Sequence, residues 1–143
     1  MKILLDTNII LDVILMRQPF FEDSYHIMKC CSDKKFEGVL AAHTITNLFY
    51  ILRKHFSNLE VRNSILKLLT VFKIDVINIE KISRALLNEN FADFEDGLQV
   101  ECATAVKADY IITRDKNDFA ESEIPCVTPA EFFNLFDELE EKI

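Results

Sequence analysis

The sequence predicts a three-layer α/β/α fold built on a mainly parallel sheet of four or five strands. Short aliphatic runs, typical of strands buried on both faces, alternate along the chain with amphipathic segments of helical period. Strands that are separated by helices pair in parallel, because each crossover returns the chain to the same end of the sheet. The chain has 143 residues, 50% of them hydrophobic, with only 2 Gly and 3 Pro, so we expect one domain over residues 1–143.

Short apolar segments are the predicted strands. The first, residues 2–6, shows no alternation and is therefore expected to be buried on both faces. The second is residues 38–42, and the third is residues 75–79, which are rich in β-branched side chains. Residues 109–113 form the fourth, and residues 125–127 are the candidate for an added edge strand.

Helices are predicted between these strands. Their apolar residues recur at helical spacing in segments near 7–16, 21–33, 43–55, 58–72, 80–90 and 95–107, and from 129 onward. Thr7 and Thr44 are the expected caps of the first and third helices. Pro129 starts the last helix, whose phenylalanines mark its buried side.

The charge balance limits the partners of the chain. With 16 basic and 24 acidic residues the formal charge is −8, which argues against binding a polyanion through overall electrostatics without excluding nucleic acid. The 4 cysteines have no Cys-x-x-Cys spacing, so we expect reduced thiols in a cytoplasmic protein. Asp6, Asn8 and Asp12 interrupt the apolar start, and neither a signal peptide nor a membrane span is expected.

Acidic residues follow the ends of two predicted strands. Asp6 closes the run Ile3–Leu5, and Asp115 and Asp118 follow the run 110–113. In parallel α/β sheets, ligands bind beyond the carboxyl ends of the strands, near the point where the strand order reverses. These acids are therefore candidates for one shared site.

A further acidic group, Asp93 to Asp96, opens the helix that precedes the fourth strand. Carboxylates brought together in a fold repel one another unless a divalent cation balances them, and hard oxygen ligands favour Mg²⁺ or Mn²⁺. The pattern indicates a metal-dependent phosphodiesterase.

Each of these polar residues also has a simpler structural explanation. Asp6 can accept hydrogen bonds from the first amides of the next helix, and Asn8 is a common residue in such a turn. Asp93 and Asp96 have the spacing of an N-cap and an N3 acid, which helix capping explains. Asp96 stands out because its helix, packed on the sheet, would point it at the strand ends, whereas Asp93 and Glu95 are expected to cap and to be solvated.

The loop after the fourth strand adds basic residues to the acids. Arg114 and Lys116 are candidate phosphate-binding residues, although pairing with Asp115 and Asp118 explains them equally well. Thr113 is a candidate for positioning an attacking water. The 3 histidines show no zinc-ligand spacing and are expected to be structural or surface residues.

With these residues in place, the chain resembles the PIN-domain family, the nucleases that include the VapC-like toxins of bacterial toxin-antitoxin pairs. The resemblance covers nearly the whole chain. It lies in four short motifs that agree in order and spacing: Leu4-Leu5-Asp6-Thr7-Asn8, Thr44-Ile45-Thr46-Asn47-Leu48, Asp93-Phe94-Glu95-Asp96, and Ala108 to Asp115 with Asp118-Phe119.

The resemblance implies an acidic pocket for Mg²⁺ or Mn²⁺ and hydrolysis of RNA by a metal-activated water. By motif match, Asp6, Asp96 and Asp115 fall on the family's metal-binding positions, with Thr113 and Asp118 beside them. It also implies an antitoxin as a partner. A homodimer is expected, with Phe20, Phe21 and the aromatic last helix as the candidate self-association surface, although core packing explains the last helix as well.

One position departs from the family pattern. At the head of the third helix the family usually has Glu, and the matching residue here is Asn47. An Asn carbonyl can bind a metal, but the loss of one negative charge should lower the affinity. A polar N3 residue after a Thr44 cap is the structural explanation of the same residue. The departure leaves weak activity, an altered metal requirement or no activity open.

Two other functions compete with the nuclease. A catalytically weak or inactive PIN-fold module, acting in RNA or protein binding, is favoured by Asn47. A phosphoacceptor receiver domain also gathers aspartates at strand ends. It needs a lysine at the end of a late strand, whereas the predicted third strand ends in Asn78-Ile79-Glu80, which argues against that assignment.

Overall fold

The computed structural model describes residues 1–91 and 93–141, with side chains as far as Asp137. Within these residues five strands form one sheet: β1 (Lys2–Leu5), β2 (Glu37–Ala41), β3 (Lys73–Asp75), β4 (Tyr110–Ile112) and β5 (Cys126–Val127). Their order is β3-β2-β1-β4-β5, and all the neighbouring pairs are parallel. The predicted fold class is therefore confirmed, with β5 as the expected edge strand.

Helices cover both faces of this sheet. In the described chain they are α1 (Thr7–Ile14), α2 (Phe21–Ser32), α3 (Ala42–Leu52), α4 (Asn58–Val71), α5 (Ile79–Leu87), α6 (Phe94–Ala105) and α7 (Pro129–Glu141), with a 3₁₀ turn at Lys116–Phe119. Alternate residues of β1 enter different cores. Ile3 and Leu5 join α1, α2, α3, α4 and α7, whereas Leu4 joins a smaller core with α6. This separation produces the three layers.

The third strand and the start of the third helix differ from the prediction. The third strand spans Lys73–Asp75 and shares only Asp75 with the predicted 75–79, because the Asn78 side chain accepts a hydrogen bond from the Lys81 amide and caps α5. That cap overrides the β-branched character of the segment. The third helix begins at Ala42, so Thr44 is not its cap but a buried residue inside it.

The first helix also begins differently from the prediction. Thr7 is its first helical residue, and the N-cap position belongs to Asp6, whose side chain makes no capping hydrogen bond. Capping of α1 therefore does not account for the Asp6 carboxylate, although a hydrogen bond from the Thr7 backbone helps to keep its pKa from rising further.

Aromatic residues of the last helix pack into the core. Phe132 is 1% exposed and contacts Phe36 edge to face, while Phe133 and Phe136 are partly buried against the same core. Core packing therefore explains these three phenylalanines of α7. Among the described helices, none combines the length and apolar character needed to cross a bilayer.

The strand order reverses between β1 and β4. From β1 the chain moves outward through β2 to β3, and it then returns to the other side of β1 for β4 and β5. The carboxyl ends of β1 and β4 consequently lie side by side, with Asp6 following one and Thr113 following the other. This is the switch point at which parallel α/β sheets bind ligands.

Candidate active site

An open acidic cavity of about 410 Å³ lies at this switch point. Within the described chain, its lining includes five carboxylate side chains, from Asp6, Asp93, Glu95, Asp96 and Asp118. Three elements supply them: the end of β1, the first turn of α6 and the loop after β4. Of the predicted metal-binding residues, Asp6, Asp96 and Asp118 thus line one cavity, whereas Asp115 is not part of its lining.

Asp6 is buried at the bottom of the cavity, with 5% of its surface exposed. Its Oδ1 accepts a hydrogen bond from Gln99 Nε2 at 2.9 Å, and its Oδ2 accepts one from Thr113 Oγ1 at 2.9 Å. Burial raises the pKa of the Asp6 carboxyl above its ordinary value, and the nearby charge of Asp115 adds to the rise. The two hydrogen bonds oppose that rise and fix the orientation of the carboxylate.

Asp115 lies behind the cavity lining and is held by two contacts. Its Oδ2 accepts a hydrogen bond from Asn8 Nδ2 at 3.3 Å, and its backbone amide donates to Thr113 Oγ1 at 3.0 Å. Asn8 therefore orients Asp115, not Asp6. Thr113 is fully buried, and its hydroxyl donates to the Asp6 carboxylate while it accepts from the Asp115 amide, so it fixes both residues relative to the end of β4.

Asp96 lies half-buried in the first turn of α6. Burial and the surrounding negative charges, chiefly Asp93 and Asp6, raise the pKa of Asp96 to about 7. Among the described residues, no Lys, Arg or His forms an ion pair with Asp6, Asp96, Asp115 or Asp118. The negative charge of the cavity is therefore uncompensated by the protein.

The raised pKa of Asp96 predicts a pH-dependent effect of Asp96→Asn on stability. The folded state holds the proton more tightly than the unfolded chain, whose pKa is 3.8, so this group's contribution to stability falls as pH rises from about 4 to about 7. We expect Asp96→Asn to raise the free energy of unfolding of the metal-free protein by about 1 kcal/mol at pH 8, after allowing for solvent screening. The gain should shrink at pH 5. Thermal unfolding in EDTA at both pH values measures it, and a gain that grows toward pH 5 would contradict the assignment.

The first turn of α6 is organised by Asp93, as the sequence predicts. Its Oδ1 accepts hydrogen bonds from the amides of Glu95 and Asp96 at 2.8 and 3.2 Å. Glu95 is exposed, as expected, but it is also held by α3. Its Oε2 accepts a hydrogen bond from Asn47 Nδ2 at 3.1 Å, and its backbone carbonyl accepts one from His43 Nε2 at 3.1 Å.

Both candidate phosphate-binding residues have other partners in the structure. Arg114 donates to both carboxylate oxygens of Asp12, from Nε at 2.9 Å and from Nη2 at 3.3 Å. Lys116 Nζ donates to Glu131 Oε1 at 2.8 Å. Neither side chain pairs with Asp115 or Asp118, the alternative that the sequence suggested. The loop is thus anchored to α1 and α7 through its basic residues.

Sequence reasoning missed three residues around the site. Gln99 holds Asp6, and its own Oε1 is buried without a hydrogen-bond partner among the described atoms. Its position three residues after Asp96, on the same helix face, was the available signal. Asp12 is fully buried, which its place inside an apolar helix could have indicated. The role of Glu95 depends on a contact with Asn47, 48 residues away, and no local pattern encodes it.

The cavity fits a divalent cation by its chemistry. It offers hard carboxylate oxygens with uncompensated charge and the unpartnered Oε1 of Gln99. No three His, Cys, Asp or Glu side chains in residues 1–91 and 93–137 are close enough together to hold a metal ion between them. Mg²⁺ does not require such a cluster, because it usually binds through one or two carboxylates and keeps several waters.

Comparison with known proteins agrees with this architecture. The family model of the PIN domain matches residues 2–117. Ribonuclease VapC1 of Aquifex aeolicus (strain VF5) is 26% identical over 136 residues, which cover 92% of each chain. This chain therefore belongs to the PIN-domain family, as its motifs predicted.

Solved structures share the fold. One is the structure of VapBC2 from Rickettsia felis bound to a DNA fragment from its promoter. A chain of that structure superposes on this one with a TM-score of 0.69 at 15% identity, and the match covers 90% of this chain and 98% of the other. A chain of a toxin-antitoxin complex from Klebsiella pneumoniae superposes with a TM-score of 0.66 at 22% identity, over 88% and 96%. At these identities the likeness concerns the fold.

Proposed function

We propose that this chain is a divalent-metal-dependent endoribonuclease and the toxin of a toxin-antitoxin pair. The observation that carries the proposal is the cavity at the switch point, where uncompensated carboxylates of a PIN-domain protein face solvent together. The ribonuclease name of its relative from Aquifex aeolicus and the toxin-antitoxin complexes among its structural neighbours support the same function.

Asp6, Asp96 and Asp115, with Asp118, are the proposed metal-binding and catalytic residues, and an ion would be held by one or two of them at a time together with waters, since no three of them lie close enough to share it. A Mg²⁺ or Mn²⁺ ion bound there supplies a water of lowered pKa and stabilises negative charge on the phosphate in the transition state. Thr113 and Gln99 fix the Asp6 carboxylate before substrate arrives.

The substrate side of the cavity carries the features that single-stranded RNA needs. Tyr50 lines the cavity with 55% of its surface exposed. The guanidinium carbon of Arg53 lies 4.3 Å from the centroid of its ring, and Lys54 Nζ lies 5.0 Å from it. An exposed aromatic ring beside two cations can stack a base and bind the adjacent phosphate, despite the net negative charge of the chain.

An antitoxin and a second copy of the chain are the proposed protein partners. A basic side chain of an antitoxin would neutralise the acidic cavity in place of the cation, and Arg suits this task because its guanidinium binds carboxylates in a bidentate manner. The homodimer remains a proposal.

The function is tested by incubating the full chain with end-labelled single-stranded RNA in Mg²⁺, in Mn²⁺ and in EDTA. We expect cleavage that needs the cation and leaves 5′-phosphate and 3′-hydroxyl ends, because water and not the ribose 2′-hydroxyl attacks. The cation should also stabilise the folded chain. At a hundredfold excess over its dissociation constant it should add about 2.7 kcal/mol to the free energy of unfolding and so raise the melting temperature.

Two outcomes would overturn this proposal. Products with 2′,3′-cyclic phosphate ends would show attack by the ribose hydroxyl. A melting temperature that no divalent cation raises, without cleavage, would favour the non-catalytic PIN-fold module.

A further inference from the structure

One contact at the rim of the cavity joins two polar side chains that capping and solvation do not explain. Asn47, on α3, donates from Nδ2 to Oε2 of Glu95, in the first turn of α6, at 3.1 Å. Both residues line the cavity. The amide thus holds a carboxylate at the edge of an already negative site, where mutual repulsion would otherwise turn that carboxylate toward solvent.

Two residues of α3 contact Glu95. His43 lies one helical turn before Asn47, on the same face of α3, and its Nε2 donates to the Glu95 backbone carbonyl at 3.1 Å. The backbone and the side chain of Glu95 are therefore both fixed relative to α3.

We propose that Glu95 is a further cation-binding carboxylate of the cavity and that Asn47 is its positioning residue. The inference rests on the proposed function and adds a ligand to the same site. It also accounts for position 47, where the family pattern has Glu and this chain has the neutral Asn47. Glu95 brings a carboxylate oxygen to 3.1 Å from Asn47 Nδ2 and so supplies the missing charge. An independent observation marks the cavity as a ligand site: Gln99 lines it, is 3% exposed and keeps an unpartnered Oε1.

Titration of Mn²⁺ into the full chain by calorimetry tests the proposal without relying on activity. We expect Glu95→Gln to weaken Mn²⁺ affinity by at least about tenfold, because affinity for hard cations follows the number of charged ligands. Glu101→Gln is the matched control: it lies on the same helix, is not part of the cavity lining and should leave the affinity within about twofold, as expected of a charge outside the site.

The positioning role of Asn47 is tested by a double-mutant cycle. Asn47→Ala should weaken Mn²⁺ affinity about threefold in the wild-type chain and have no effect in the Glu95→Gln background, since it acts through Glu95. The exchange Asn47→Glu with Glu95→Gln moves the carboxylate across the contact and should restore affinity to within about threefold of wild type. A merely structural role of the contact would not give this rescue.

Affinity for Mn²⁺ that Glu95→Gln leaves unchanged, in a wild-type chain that binds Mn²⁺ and cuts RNA, would overturn this inference alone. A wild-type chain that neither binds Mn²⁺ nor cuts RNA would overturn the inference together with the proposed function. If Glu95→Gln lowers the melting temperature in EDTA, the double variant Asn47→Glu with Glu95→Gln separates a structural loss from the loss of a ligand. A double variant that does not regain Mn²⁺ affinity would count against the proposal.

Discussion

Replacing Asp6 by Asn is expected to lower the rate of RNA cleavage by about a thousandfold while leaving the fold intact. The rate falls because the deepest carboxylate of the cation site is lost, and with it several kcal/mol of transition-state stabilisation. The fold survives because removing a buried charge lowers a desolvation cost that now raises the pKa of Asp6.

The hydrogen bonds around Asp6 can adapt to the amide. Thr113 continues to donate to the remaining oxygen, and Gln99 can turn its amide so that the unpartnered Oε1 accepts from the new NH₂ group. The melting temperature in EDTA should therefore equal or exceed that of the wild type. Undiminished cleavage by a folded Asp6→Asn variant would remove Asp6 from the catalytic site.

A matched control for this substitution is Asp33→Asn. The chemical change is the same, but Asp33 is exposed at the end of α2, where it pairs with Lys29 at 2.9 Å. Such surface pairs contribute little to stability, so both activity and melting temperature should stay close to wild type. Equal losses of activity in the two variants would indicate a general charge effect and not a site.

The fold could be predicted because its signals are local. Apolar runs, helical periods and the Asp93 cap are each encoded within a few neighbouring residues, and most of the elements they predict appear in the structure. The position of the third strand was predicted wrongly because two local signals conflict there. Its β-branched residues favoured a strand locally, and the Asn78 cap of α5 outweighed them.

The site could be predicted only in part, because its partners are far apart in sequence. Strand ends placed Asp6 near Asp115, since the switch-point rule converts sequence position into spatial position. No such rule connects Asp12 to Arg114, which are 102 residues apart, or Asn47 to Glu95. Long-range pairs between helices and loops depend on how these elements pack together, and the spacing of residues in the sequence does not predict that packing.

The ion pair of Asp12 and Arg114 anchors the loop after β4 to α1. Asp12 is 0% exposed, and both its oxygens accept from Arg114, whose guanidinium carbon also lies 4.2 Å from the centroid of the Phe20 ring. Arg114 is flanked in sequence by Thr113 and Asp115, so this one ion pair ties two residues of the site to α1.

Arg114→Ala is expected to lower the free energy of unfolding by about 3 kcal/mol, because it leaves the Asp12 charge buried without its main partner. For a domain of this size that loss corresponds to a fall of roughly 10 °C in melting temperature. Arg17, whose Nη1 lies 3.8 Å from Asp12 Oδ1, compensates only in part. Thermal unfolding in EDTA measures the effect apart from any cation.

Three variants separate this buried pair from an ordinary surface ion pair. Arg17→Ala should cost less than about 1 kcal/mol, as expected of its longer and more exposed contact. Arg114→Lys keeps the charge but loses the bidentate geometry and the stacking on Phe20, so its loss should fall between those of the two alanine variants. In an Asp12→Ala background the cost of Arg114→Ala should shrink, because no buried charge remains to be stranded. Additive losses would mean that Arg114 stabilises the loop through other contacts. Weaker RNA binding by Arg114→Ala without a loss of stability would instead support the phosphate-binding role that the sequence suggested for Arg114.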